Sequence, residues 1–107
     1  MSIKTTVLTL ALLSTSAMVA AAPYSANIRS NYLQACTQGM QQGDPNLTTA
    51  INQAWCNCTL DKLEQNMTEQ EFIQADVKLA SDPNDPSVKK LYRIVEAEWM
   101  KCAKVFQ

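Results

Sequence analysis

Residues 47–67 read LTTAINQAWCNCTLDKLEQNM, and their pattern is the strongest structural signal in the chain. At roughly 100° per residue, an α-helix places the apolar residues of this stretch on two opposite faces. One face holds Leu47, Ile51, Ala54, Trp55 and Cys58. The other holds Cys56, Leu60, Leu63 and Met67. A helix that is apolar on two faces needs neighbours on both, so we predict that it ends near Asn66 and lies in the middle of the fold.

The segments on either side of this central helix also have helical periodicity. After Ser25, an apolar residue recurs every fourth position until the chain reaches Gly43, a residue that commonly ends helices. Residues 68–71 have the sequence of a capping box, which predicts the start of a short third helix. We therefore expect an all-α fold, a small bundle of about four helices held together by disulfides.

An aspartate followed by a proline occurs twice where a helix is expected to begin, at 44–45 and at 85–86. Aspartate is a favoured N-cap residue, and proline is tolerated at the first helical position. The first pair predicts the start of the central helix. The second predicts the start of the last helix, which we expect to run nearly to the C-terminus.

The N-terminal segment has the composition of a secretory signal peptide. One lysine precedes the apolar run at 7–13, and small residues follow it. Val19 and Ala21 suit the positions three residues and one residue before a signal peptidase cut. We predict that residues 1–21 are a cleaved signal peptide and that residues 22–107 form a single helical domain, with no membrane span after cleavage.

Four cysteines follow the predicted cleavage site: Cys36, Cys56, Cys58 and Cys102. An even number of cysteines in an exported chain indicates disulfides, which stabilise chains too small for a large core. Cys56 and Cys58 point about 200° apart on a helix, which disfavours a bond between them. We assign the Cys58 face to the first helix and the Cys56 face to the later helices, which favours Cys36–Cys58 and Cys56–Cys102. The swapped pairing stays open.

The Cys56/Cys58 pair also permits a chemical role. Thiolates and thioethers bind Cu(I), and Met67 shares a face with Cys56, so a periplasmic copper- or thiol-handling protein is the alternative function. A redox-active dithiol needs a stabilised thiolate, which the acidic Asp61 one turn away would disfavour. Because an oxidising compartment pairs thiols, we favour structural disulfides and predict no metal and no cofactor.

The composition argues against catalysis and nucleic-acid binding. Without histidine, the chain lacks the ordinary Ser/His/Asp and Cys/His machinery, and no glycine-rich phosphate loop is present. Residues 22–87 contain eight acids against three cations, whereas residues 88–107 contain five cations against two acids. That basic patch is too modest for a nucleic-acid interface. We predict that the protein is not an enzyme and does not bind nucleic acid.

The remaining class is a small exported protein-binding module of the inhibitor, immunity or small-chaperone type. A surface held by disulfides binds with little loss of conformational freedom, which suits this function. We expect the protein to be periplasmic or secreted, with another protein as its partner.

Overall fold

The computed structural model describes residues 22–107 of the protein. This part of the chain forms four α-helices and a C-terminal 3₁₀ helix: α1 Ala26–Gly43, α2 Thr49–Asn66, α3 Glu69–Lys78, α4 Pro86–Glu98, and the 3₁₀ helix Trp99–Phe106. No strand occurs between residues 22 and 107. The predicted all-α class is therefore confirmed. The predicted signal peptide, residues 1–21, lies outside the described residues.

Helix α2 lies between the other elements, as its two apolar faces predicted. It packs against α1, α4 and the 3₁₀ helix. The face that carries Cys56 meets α1, where the Tyr32 hydroxyl lies 2.7 Å from the Thr59 hydroxyl. The opposite face, which carries Trp55 and Cys58, meets the 3₁₀ helix. Both faces of α2 are thus covered, but their neighbours are the reverse of those we assigned.

The disulfides follow the same reversal. Cys36 is bonded to Cys56 and Cys58 to Cys102, with Cα atoms 5.9 and 5.8 Å apart. The favoured pairing of Cys36 with Cys58 and Cys56 with Cys102 is therefore wrong, and the swapped pairing is found. Cys56 and Cys58 are not bonded to each other, as their opposite orientations on α2 predicted.

The reason for this reversal lies in the aromatic residues. Helical periodicity shows which side chains share a face, but it does not show which neighbour covers that face. The Trp55 ring lies 6.2 Å from the Trp99 ring and 5.3 Å from the Phe106 ring, measured between centroids. Packing of these three rings against one another places the Trp55 side of α2, and with it Cys58, against the 3₁₀ helix.

Two of the predicted helix starts are confirmed in atomic detail. Thr68 Oγ1 accepts the Glu71 N–H at 3.1 Å, and the Glu71 carboxylate accepts the Thr68 N–H at 2.9 Å, which completes the capping box. The Asp85 carboxylate accepts the Ser87 N–H at 3.1 Å, with Pro86 at the start of α4. These bonds satisfy amide groups that a helix N-terminus leaves without partners.

The predicted start of the central helix at residues 44–45 is wrong. The Asp44 carboxylate accepts the Asn46 N–H at 3.1 Å and forms a local turn instead of a cap. Thr48 takes the capping position and accepts the Ile51 N–H at 3.1 Å, so α2 begins at Thr49.

The last helix extends nearly to the C-terminus, as predicted, but its final part is a 3₁₀ helix. The α-helical part ends at Glu98, and the 3₁₀ helix continues to Phe106. Because a 3₁₀ helix has about three residues per turn, Trp99 and Cys102 lie on one side. This side faces α2, and Cys102 is fully buried there.

Tyr24 anchors the segment before α1 to the bundle. Its side chain is only 4% exposed, and its ring stacks on Phe72 at a centroid distance of 5.4 Å. The hydroxyl lies 3.1 Å from the Leu63 carbonyl oxygen and 2.9 Å from that of Met67. Burial and, second, the charge of Glu64 raise the pKa of the Tyr24 phenol, so it remains a donor to these carbonyls.

The core brings residues from α2, α3 and α4 together beneath Tyr24. Its buried apolar members are Tyr24, Leu60, Leu63, Met67, Ala75, Val88 and Ile94. None of the helices within residues 22–107 is long and apolar enough to cross a membrane. Outside this core, six large apolar side chains of the described residues remain exposed. They are Ile73 and Val77 on α3, Leu79 just after it, Tyr92 on α4, and Met100 and Phe106 on the 3₁₀ helix.

Candidate functional site: an apolar groove between α1 and α3

A groove of about 310 Å³ runs between α1 and α3. We call it the α1–α3 groove; its lining residues are Ile28, Asn31, Tyr32, Ala35, Phe72, Ile73 and Asp76. These residues come from the exposed side of the apolar stripe of α1 and from the first two turns of α3. Most of the lining is aliphatic or aromatic, which is the usual character of a binding groove.

Contacts with residues beneath the groove fix the positions of its aromatic side chains. The Tyr32 and Phe72 rings meet edge to face with centroids 6.1 Å apart. The hydrogen bond to Thr59 fixes the Tyr32 hydroxyl, and the stacked ring of Tyr24 supports Phe72. The groove is therefore formed before any partner arrives, which lowers the entropic cost of binding.

Two aliphatic residues of α3 project beside the groove and are exposed to solvent. Ile73 is 40% exposed, and Val77, one turn further along the helix, is 67% exposed. We call this pair the α3 ridge. On its other side lies a second depression of about 220 Å³, which Ile73 and Val77 also line. An apolar ridge between two depressions is a surface that a complementary protein can cover.

The groove side of α3 carries two acidic residues, whereas the one cation of α3, Lys78, lines the depression on the other side of the ridge. Glu69 and Asp76 are seven residues apart and therefore lie on one side of α3. Neither forms a salt bridge within the part of the chain that the structure describes. The nearby Arg29 is bonded to Glu64, and that hydrogen bond raises the pKa of the guanidinium.

A second cleft, of about 460 Å³, lies between α3 and α4 and is more polar. Of its charged groups, Glu71 and Lys90 form an ion pair, Asp85 caps α4, and Arg93 forms no salt bridge within the described residues. Lys90 Nζ lies 2.9 Å from a Glu71 carboxylate oxygen, and the Asp85 carboxylate accepts hydrogen bonds from the backbone N–H and the hydroxyl of Ser87. The Thr68 N–H and then Lys90 hold the pKa of Glu71 below its usual value. Helix caps and an ion pair thus account for three of the four charged groups that line this cleft.

The residues that the sequence singled out form no chemical site. All four cysteines are bonded in the two disulfides, so none offers a thiolate. The sulfur of Met40, rather than that of Met67, lies near Cys56, at 3.8 Å from Sγ. Within residues 22–107, no group of three or more Cys, Asp or Glu side chains is arranged to hold a metal ion.

The groove was not predicted from the sequence. Phe72, Ile73 and Val77 are apolar residues of the third helix, but the sequence pattern does not show which of them a neighbouring element covers. The available signal was that α3 is apolar on more sides than one packing face can cover. Such an excess of apolar surface indicates a partner or a further neighbour.

Comparisons of the chain with models of protein families, with curated proteins and with solved structures find no match. The fold and the groove define an all-helical bundle with two disulfides and a preformed apolar surface.

Proposed function

We propose that this is a small exported protein that binds another protein through the α1–α3 groove and the α3 ridge. The observation that carries the proposal is the exposure of Ile73 and Val77 beside a groove whose aromatic walls are already fixed. Apolar side chains in this arrangement gain free energy when a partner removes them from water. No catalytic group is required for this function.

The disulfides support both parts of the proposal. Disulfides persist mainly in proteins outside the cytoplasm, so we place the protein in the periplasm or in the medium. They also tie α1 and the C-terminal segment to α2, the helix beneath the groove. A partner thus meets a surface that needs little ordering, as expected for an inhibitor, an immunity protein or a small chaperone.

The same bonds weaken the case for the alternative, a copper- or thiol-handling protein. Such a protein needs free thiolates, and a disulfide sulfur is a poor ligand for a soft metal. With Cys56 and Cys58 bonded to different helices, a metal site would require both disulfides to be reduced.

Photo-crosslinking can test the proposed surface in the cells that export the protein. We expect benzoylphenylalanine at position 77 to yield a discrete protein adduct after illumination. The matched control is position 100, because Met100 is 71% exposed against 67% for Val77 but lies on the 3₁₀ helix. The adduct should disappear when Ile73→Asp is added, since a charge on the ridge would oppose apolar burial.

Two results would count against the proposal. Adducts of equal yield from positions 77 and 100 would show that capture depends on exposure alone. A yield at position 77 that Ile73→Asp leaves unchanged would show that the ridge does not contribute to binding.

A further inference from the structure

The chemistry of the groove indicates what kind of protein segment it accepts, if the proposed function is correct. We infer that the partner contributes an amphipathic α-helix whose apolar face is flanked by lysine or arginine residues. Three features of residues 22–107 support this inference: the absence of a sheet edge, the apolar lining, and two acids of α3, Glu69 and Asp76, that form no salt bridge.

The secondary structure favours a helical partner. A peptide that binds as an extended strand needs an exposed sheet edge, and the described residues contain no strand. The groove instead lies between two helices, with Ile28 and Tyr32 on one wall and Phe72 and Ile73 on the other. Grooves of this kind accept the apolar face of a third helix, which presents side chains at i, i+3, i+4 and i+7.

The charges favour basic flanks on that helix. Glu69 and Asp76 bracket Phe72 and Ile73 along α3, about 10 Å apart at the rise of an α-helix. On the α1 wall, the lining residues carry no charge. Within the described residues, the nearby cation Arg29 is already bonded to Glu64, so it does not offset these acids.

The spacing of the acids also sets the spacing expected in the partner. Cations seven positions apart on a helix lie on one side at the same separation of about 10 Å. One cation would face Glu69, whose carboxylate also accepts the Ser25 N–H, and the other would face Asp76. Acidic residues at these positions of the partner would be repelled by Glu69 and Asp76. The two acids therefore select against acidic helices as well as strengthening the binding of basic ones.

Two synthetic peptides can test this inference. Both are helical and share the same leucine positions; one carries lysines seven positions apart, and the other carries glutamates at those places. Fluorescence anisotropy with the mature protein should show that the leucine–lysine peptide binds at least about tenfold more tightly. The Ile73→Asp substitution should weaken this peptide about tenfold or more, because the ridge loses its apolar contact.

A charge reversal localises the effect. Asp76→Lys should weaken the leucine–lysine peptide about fivefold and improve binding of the leucine–glutamate peptide. Asp82→Lys is the matched control, because Asp82 is an exposed aspartate in the turn after α3 and does not line the groove. It makes the same change in net charge and should leave both affinities nearly unchanged.

Each other outcome overturns the inference. Failure of both peptides to bind excludes a basic amphipathic helix as the occupant. Equal binding of both peptides shows that the groove has no preference for basic flanks. The proposed function is tested separately, because an adduct at position 77 would still show that a protein binds at the groove. If Asp82→Lys weakens binding as much as Asp76→Lys, the effect comes from net charge and not from this site.

Discussion

Replacing Cys58 and Cys102 together by serine is expected to lower the free energy of unfolding by about 4 kcal/mol, and replacing Cys36 and Cys56 by about 3 kcal/mol. The order follows from the sequence separations of 44 and 20 residues, since the longer loop restricts the unfolded chain more. Small domains have only about 5–15 kcal/mol of stability, so either loss is a large fraction. Urea unfolding followed by far-UV circular dichroism measures both values.

The pairing itself is tested by single substitutions. In Cys102→Ser, the thiol that becomes open to alkylation should be Cys58, while Cys36 and Cys56 stay bonded. Detection of free Cys56 would contradict the described connectivity. As a control for the effect of serine in a buried position, reduction of the unaltered protein should destabilise it at least as much as either double substitution. Unchanged unfolding under reductant would show that the disulfides contribute no stability.

The second large effect is expected at Tyr24. Tyr24→Ala should lower the free energy of unfolding by about 3–5 kcal/mol, because it removes a buried ring and leaves a cavity beside Phe72. Tyr24→Phe keeps the ring and should cost only about 1 kcal/mol for the lost hydrogen bond. Chemical unfolding of the two variants separates the contribution of the ring from that of the hydroxyl.

Tyr92 provides the matched control for this substitution. It is half exposed on the outer side of α4, so Tyr92→Ala should change stability by no more than about 0.5 kcal/mol. Equal losses in the Tyr24→Ala and Tyr92→Ala variants would contradict the anchoring role of Tyr24. Because Phe72 also forms a wall of the groove, Tyr24→Ala should in addition weaken the leucine–lysine peptide.

The fold class and most helix ends could be predicted because local sequence determines them. The capping box at residues 68–71 and the Asp85–Pro86 start satisfy backbone groups within one turn, so they need no knowledge of distant residues. The same local reasoning failed at Asp44, where a competing hydrogen bond to Asn46 forms a turn. Both outcomes use the same side-chain chemistry, and only the surrounding structure selects one of them.

The disulfide pairing and the groove depend on contacts between distant elements. The periodicity of α2 placed Cys56 and Cys58 on opposite faces correctly, but it could not show that Trp99 and Phe106 would cover the Cys58 face. In the same way, the pattern of α3 identified Ile73 as apolar without showing that no element within residues 22–107 covers it fully. Burial depends on how the helices pack together, so it cannot be predicted from the pattern of a single helix.

Amide hydrogen exchange tests the docking surface most directly. It is measured on the unaltered protein alone and in its non-covalent complex with the partner that crosslinking identifies. If the partner binds as proposed, exchange slows at residues 28–35 and 72–77, which form the two walls of the groove. Exchange at residues 89–104, on α4 and the 3₁₀ helix, stays the same. Protection confined to residues 89–104, with residues 72–77 unaffected, would contradict the proposal that this protein binds its partner through the α1–α3 groove.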